Sequence, residues 1–294
     1  MLLASAVEFI TIYVALELTA LPVAALVAFG REERSAEAGM KFLILSAISS
    51  AILLYGMVIV YGFTGTTSLE EIASVWNEYR VLDNNIPFGS NAMIFGVILI
   101  IAGFGFKIAA FPFHMWAPDV YEGAPTPITA FLSVASKAAG FAVVLRVFYT
   151  GLGVPDISAE WSIVFAVMSA CSMTIGNLIA IRQKDIKRLL AYSTIAHAGY
   201  ILVGVASING DSISIGSSAV LFYLSGYAAT NLAAFTVVIA ISGRIGSFAI
   251  DDFAGMARRA PYLSAVLAFS MVVISIGIIS YKFKDKIKEK LGGF

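Results

Sequence analysis

Long apolar runs separated by short polar segments recur along the whole chain. A helix needs roughly 20 apolar residues to cross the hydrocarbon core of a bilayer, and polar breaks mark the ends of such runs. The pattern predicts an all-α, polytopic membrane helix bundle with about eight transmembrane helices. Their expected ranges are 6–29, 39–63, 91–116, 126–150, 160–181, 188–208, 215–242 and 261–281.

The composition favours the same environment. The chain is 59% hydrophobic and 13% charged, whereas soluble domains are about 45–50% apolar and about 25% charged. We therefore expect a lipid bilayer around it. A net charge of zero gives no basis for nucleic-acid binding, and the single Cys171 cannot build a disulfide or a cysteine-ligated cluster by itself. We expect no cleavable signal peptide, because residues 1–7 lack a basic segment.

The basic residues predict the orientation, because cytoplasmic loops carry an excess of Lys and Arg. The loops after the first, fifth and seventh predicted helices hold ten basic residues, whereas the opposite loops 64–90, 151–159 and 209–214 hold Arg80 alone. We place the first group on the cytoplasmic side. If the eighth predicted helix crosses the membrane, the lysine-rich tail, residues 282–294, lies on the side opposite to the basic loops and departs from this rule. The ten residues are Arg31, Arg34, Lys41, Arg182, Lys184, Lys187, Arg188, Arg244, Arg258 and Arg259.

Three ionisable side chains fall well inside predicted membrane helices: Glu17, Lys107 and Lys137. An ionised group at the bilayer centre costs about 2.5–3.5 kcal/mol on insertion scales. Such groups persist when they face a hydrated interior and interact with one another. Arg146 lies near a helix end, where its side chain can extend to the interface, and we interpret it as structural.

Two interpretations of these charges remain open. A buried ion pair would fix the packing of the helices, whereas a proton relay would use the same groups chemically. Burial disfavours the ammonium form of a lysine, and a neighbouring carboxylate stabilises it. Movement of Glu17 relative to a lysine would therefore switch that lysine between holding and releasing a proton.

Two prolines lie close to these charges, Pro22 five residues after Glu17 and Pro112 five residues after Lys107. Proline removes one helical hydrogen bond and frees the carbonyl four residues earlier. Broken helices are tolerated at membrane depth where they line a hydrated cavity. We predict helix breaks at both prolines; a simple packing kink is the alternative.

The two histidines are further candidates, because histidine titrates near neutral pH and carries protons on either ring nitrogen. His197 falls inside the sixth predicted helix and is a candidate member of the relay or a helix-packing residue. His114 follows Pro112 near the cytoplasmic end, where it is a structural residue or a candidate for proton uptake.

One long segment resembles a known family. Residues 105–127, GFKIAAFPFHMWAPDVYEGAPTP, are similar to the antiporter-like membrane subunits of respiratory complex I, and the YEG step at 121–123 to their N-type member. The segments 182–193 and 195–200, and Glu17 within LELTALP, fit the same family. The resemblance covers about residues 1–270. By comparison with the family, the chain is expected to be truncated at both ends.

The resemblance implies a fold and roles. The family fold has two inverted five-helix repeats with broken helices, which implies one transmembrane domain with partial repeats at about 1–150 and 160–281. It implies that Glu17, Lys107, Lys137 and His197 form the proton relay. NADH, flavin, iron–sulfur clusters and quinone would then belong to partner subunits, and this chain would carry no cofactor.

Three functions follow as hypotheses. The chain could be a proton-translocating subunit of an NADH-quinone oxidoreductase in the inner (plasma) respiratory membrane, with the other membrane subunits of complex I as partners. It could be a stand-alone cation/proton antiporter subunit. It could also be a truncated scaffold that transports nothing.

Overall fold

The computed structural model describes residues 1–30, 32–82, 87–207 and 213–272. This part of the chain is helical, as the apolar pattern predicts. Its helices are α1 Leu2–Ser5, α2 Phe9–Val27, α3 Glu33–Thr64, α4 Leu69–Leu82, α5 Pro87–Lys107, α6 Trp116–Gly123, α7 Thr126–Phe131, α8 Lys137–Arg146, α9 Pro155–Ala180, α10 Ile186–Ala206, α11 Ile213–Ile245, α12 Met256–Arg259 and α13 Pro261–Val272. Two π-helical segments, Leu132–Ser136 and Val147–Gly151, join α7 to α8 and follow α8.

Six of the described helical segments are long and apolar enough to cross a membrane. They are α2, α3, the run Thr126–Gly151, α9, α10 and α11. The third predicted helix, 91–116, is not continuous: α5 ends at Lys107 and helical structure resumes at Trp116. Only the start of the eighth is described, as α13; residues 273–281 and the tail 282–294 lie outside the described residues.

The loops predicted to share the cytoplasmic side contact one another. Asp185 and Ala249 form an isolated antiparallel bridge between the loops that follow α9 and α11. At the same end of the bundle, Lys41 of α3 and Arg188 of α10 both pair with Asp119 of α6, at 3.0 Å each. The structure thus gathers these basic loops at one end, and their assignment to the cytoplasm stays a prediction.

At the opposite end of the bundle, the first residues of the chain contact the segment before α4 and the end of α8. Glu8 forms an isolated bridge with Ser68. Arg146, at the end of α8, directs its guanidinium to the carbonyls of Ser5 and Ala6 at 3.5 Å. Those carbonyls lie at the end of α1, where backbone oxygens lack helical partners. Arg146 thus contacts a helix terminus near one end of the bundle, as expected for a structural residue.

The buried apolar residues form two clusters along the bundle. The first contains Phe9, Phe104, Phe141 and Ile201 among others. The second contains Val23, Phe106, Leu132 and Ile195 among others. On α2, α3, α10 and α11 the members of one cluster precede those of the other along the chain. Glu17 and His197 lie between the two sets on their helices.

Pro22 does not break its helix, and this prediction is wrong. Helix α2 runs from Phe9 to Val27 with Pro22 inside it. Proline removes a single backbone donor, and the remaining hydrogen bonds hold the helix together in an apolar environment that has no competing water.

Candidate functional site

The boundary between the two apolar clusters contains the charged residues. Lys107 lies between Phe106 of the second cluster and Ile108 of the first. Lys137 lies between Leu132 and Phe141, which also belong to different clusters. The candidate site is the layer formed by Glu17, Lys107, Lys137 and His197, which lie between members of the two clusters along the chain.

Lys107 contacts the helix that carries Glu17. It is the last residue of α5, and its Nζ donates to Thr19 Oγ1 at 3.3 Å, two residues after Glu17 on α2. Glu17 Oε1 is buried and has no hydrogen-bond partner. A buried carboxylate oxygen without a donor costs free energy.

A small crevice adjoins Lys107, lined mostly by apolar atoms together with several serines. Its volume is about 20 Å³, enough for one water molecule. The wall contributed by α3 carries three serines, and Ser49 donates to the carbonyl of Gly103 at 3.2 Å. The crevice therefore provides polar groups next to the ammonium group. The serines are Ser46, Ser49 and Ser50.

The helix break predicted at Pro112 is present. Helix α5 ends at Lys107, Ala109 has a left-handed backbone with φ of 55°, and α6 starts at Trp116. Side chains satisfy the backbone groups that the break frees. Trp116 Nε1 donates to the carbonyl of Phe106, and Ser172 Oγ of α9 accepts from the N–H of Phe111, at 2.9 Å each. Irregular backbone is tolerated at membrane depth because the protein supplies such partners.

Lys137 is enclosed by the bundle. It is 1% exposed and begins α8 directly after the π-helical segment Leu132–Ser136. Its Nζ donates to the carbonyl of Thr194 on α10 at 2.5 Å. Single π-helical turns often occur at functional sites. The ammonium group therefore points towards the interior, between two helices of the bundle, and away from lipid.

A glycine allows Lys107 to approach α8. Gly140 lies three residues after Lys137, hence on the same face of α8. A Cβ atom built on Gly140 would lie 3.0 Å from Ile108 Cγ2 and 3.6 Å from Lys107 Cγ. The absence of a side chain at Gly140 thus allows the end of α5, with Lys107, to approach α8.

His197 lies beside Lys137 on the interior face of α10. It is 3% exposed and lies one helical turn after Thr194, the residue whose carbonyl accepts from Lys137. Its Nδ1 shares a 2.6 Å hydrogen bond with Tyr223 Oη of α11. The rings of Tyr200 and Tyr227 lie 5.7 and 5.3 Å from the imidazole, centroid to centroid. This environment fits both alternatives for His197, a member of the relay or a helix-packing residue with a hydrogen-bond partner, and its role stays a prediction.

His114 lies apart from the Lys137–His197 pair. It follows the broken segment, and its ring stacks on Phe111 with centroids 5.6 Å apart. His114 Nδ1 is buried and has no hydrogen-bond partner. The residue is partly exposed, so a role in proton uptake stays a prediction.

Sequence reasoning missed the hydroxyl groups around Lys137 and His197. Tyr227 Oη donates to the carbonyl of Ser133 at 3.0 Å, and both residues are buried. The available signal was the spacing: Tyr223, Tyr227 and Asn231 recur at intervals of four and share one face of α11. A polar stripe of this kind on an apolar helix indicates a face turned towards polar partners.

Among the described residues, no group of three or more His, Cys, Asp or Glu side chains has the arrangement of a metal site. The chemistry that this layer can support with its own side chains is proton transfer between amines, an imidazole, hydroxyls and a carboxylate.

Known proteins are similar to this chain in sequence. The sequence profile of the NADH:quinone oxidoreductase/Mrp antiporter transmembrane family matches residues 6–278. A relative from Dehalococcoides mccartyi, described as NADH-quinone oxidoreductase subunit N, is 44% identical over 277 residues, which cover 93% of this chain and 56% of the relative. The chain spans about half the length of the curated relatives it matches.

Solved structures show the same fold. A chain of respiratory complex I from Thermus thermophilus is similar, with a TM-score of 0.74 and 34% identity, over 93% of this chain and 56% of that one. A chain of the Mrp complex from Dietzia is similar in fold, with a TM-score of 0.77 and 23% identity, over 90% of this chain and 47% of that one. The expected antiporter-like membrane fold is confirmed.

Proposed function

The chain belongs to the NADH:quinone oxidoreductase/Mrp antiporter transmembrane family, and from this premise we propose that it is a proton-translocating membrane subunit of an NADH-quinone oxidoreductase. Its role is to move protons through the layer of buried ionisable groups while quinone is reduced elsewhere in the complex. Glu17, Lys107, Lys137 and His197 carry the protons in this proposal.

One observation carries the proposal: Lys137 is 1% exposed and its ammonium group donates to the Thr194 carbonyl beside His197. A buried amine costs free energy in every conformation that leaves it unpaired. A structural role would be served by an apolar side chain of similar volume. An amine that donates to the carbonyl of Thr194, one helical turn before His197, instead lies near a group that can exchange protons with it.

The partners and cofactors follow from the same proposal. The other membrane subunits of complex I would surround this chain in the respiratory plasma membrane. NADH, flavin, iron–sulfur clusters and quinone would be bound by partner subunits. The chain itself would contribute the proton path.

The test compares Lys137→Met with Lys184→Met in the assembled membrane complex. Both variants remove one ammonium group, but Lys184 is exposed on the loop after α9. We expect Lys137→Met to lower proton translocation by roughly 10²-fold, the lower range for a positioned acid–base group, with the complex still assembled. Lys184→Met should translocate as the wild type does. A Lys137→Met complex that pumps at the wild-type rate would refute the proposal.

A second function is favoured by the family description, which includes Mrp antiporters. In that case the chain would exchange Na⁺ or K⁺ for protons without electron transfer. Reconstitution into vesicles separates the two, because only an antiporter subunit would respond to a cation gradient in the absence of NADH and quinone. Failure of both experiments would leave the third hypothesis, a non-transporting scaffold.

A further inference from the structure

His197 contacts Tyr223 of α11 in a buried polar region of the bundle. Tyr227, whose ring lies 5.3 Å from the imidazole, and Thr194, which accepts from Lys137, are buried. Tyr223 itself is partly exposed in the described part of the chain.

The hydrogen bond determines which ring nitrogen carries the proton. Nδ1 of His197 lies 2.6 Å from Tyr223 Oη. A phenol donates readily, and a neutral imidazole has one donor and one acceptor nitrogen. If Tyr223 donates to Nδ1, the proton of the neutral ring stays on Nε2. The group that bonds to one ring nitrogen thereby selects the tautomer, as hydrogen-bonding partners do for histidines in general.

We propose that Tyr223 is a positioning residue of the proton path, whose hydroxyl donates to Nδ1 of His197 and fixes the tautomer of the imidazole. This inference rests on the proposed proton-translocating function and adds a residue to it. It assigns Tyr223 a role that its neighbour Tyr200 lacks, since the Tyr200 hydroxyl instead accepts a hydrogen bond from Asn177 Nδ2 at 2.8 Å.

The consequence for His197 concerns the second ring nitrogen. With Nδ1 accepting from Tyr223, the neutral ring carries its proton on Nε2. Nε2 is then the ring nitrogen that is available for proton exchange.

The tautomer can be measured independently of transport. The full chain, labelled with ¹⁵N in its histidine rings and reconstituted in lipid bilayers, has two histidines, and His114→Gln leaves the signals of His197 alone. We expect one neutral tautomer with Nε2 protonated in this background. Adding Tyr223→Phe should give a mixture of tautomers and shift the Nδ1 signal, whereas adding Tyr200→Phe should leave both nitrogen signals unchanged. A Tyr223→Phe spectrum identical to its parent would overturn the assignment.

Transport in the assembled complex supplies the second measurement. Tyr223→Phe should lower proton translocation by roughly 10²-fold, and Tyr200→Phe should not. In a His197→Gln background, Tyr223→Phe should cause no further loss, because both residues act in one path. A Tyr223→Phe complex with an altered tautomer and the wild-type pumping rate would refute a role of Tyr223 in proton translocation. A wild-type complex that moves no protons would instead refute the proposed function, with the tautomer result unaffected.

Discussion

Lys137 and Thr194 lie on different helices, and the ammonium group of the first donates to the backbone carbonyl of the second at 2.5 Å. The Thr194 hydroxyl is itself directed to the carbonyl of Ala191 at 2.8 Å. Thr194 therefore offers Lys137 a carbonyl, which can accept a hydrogen bond from the charged amine or the neutral amine alike. The contact fixes the position of Nζ without fixing its protonation state, which suits a group that exchanges protons.

The unpartnered carboxylate oxygen of Glu17 leads to a prediction about activity. Glu17→Gln keeps the shape of the side chain and removes its charge beside Lys107. We expect proton translocation by the assembled complex to fall by roughly 10²-fold. The matched control is Glu33→Gln, the same change at an exposed position at the start of α3. Wild-type pumping by the Glu17→Gln complex would remove Glu17 from the path.

The close approach at Gly140 leads to a prediction about stability. Gly140→Leu would push side-chain atoms into Ile108 and the stem of Lys107, and overpacking of this kind costs about 1–3 kcal/mol. Gly226→Leu on α11 is the control, because a Cβ there meets no atom within 4 Å. Denaturant unfolding in mixed micelles should show the loss for Gly140→Leu. Equal stability of the two variants would show that α5 and α8 are not in close contact at this point.

The buried ammonium group of Lys187 leads to a second prediction about stability. Its Nζ donates to the carbonyls of Glu122 and Ala124 at 2.6 and 2.7 Å and lies 4.6 Å from the centre of the Phe248 ring. Lys187→Met would leave both carbonyls without this donor, at a cost of about 1–3 kcal/mol. Lys184→Met, at an exposed position, should unfold at the wild-type denaturant concentration. An unchanged midpoint for Lys187→Met would contradict the contact.

The ion pairs of Arg188 lead to a prediction about salt. One guanidinium nitrogen lies 3.0 Å from Asp119 and 2.6 Å from Glu122, and all three side chains are about one-third exposed. Arg188→Gln should destabilise the chain by about 1 kcal/mol at low ionic strength. The difference from the wild type should shrink in high salt, because screening shortens the range of the interaction.

The control for Arg188 is Arg182→Gln, an exposed arginine on the loop after α9. It should show little loss at either ionic strength. A loss for Arg188→Gln that does not depend on salt would indicate that the hydrogen-bond geometry, and not the charge, stabilises the contact between α6 and α10.

The sequence by itself determined the class of the fold and the enclosed position of Lys137. Runs of about 20 apolar residues have few alternatives to membrane helices. Because a charge facing lipid is expensive, Lys137 was expected to point inwards, as it does. The break at Pro112 agrees with the sequence prediction, but the same rule predicted a break at Pro22 that is absent. Whether the chain forms two inverted repeats stays a prediction.

Only the tertiary structure decided which groups meet. Pro22 resembles Pro112 in its spacing from a charge, yet α2 continues through it, because local sequence does not reveal whether neighbouring groups compensate a break. The 2.6 Å contact of Tyr223 with His197 depends on the rotation of α11 against α10. That rotation is set by the sum of many side-chain contacts between distant segments, and no spacing within a single helix encodes it.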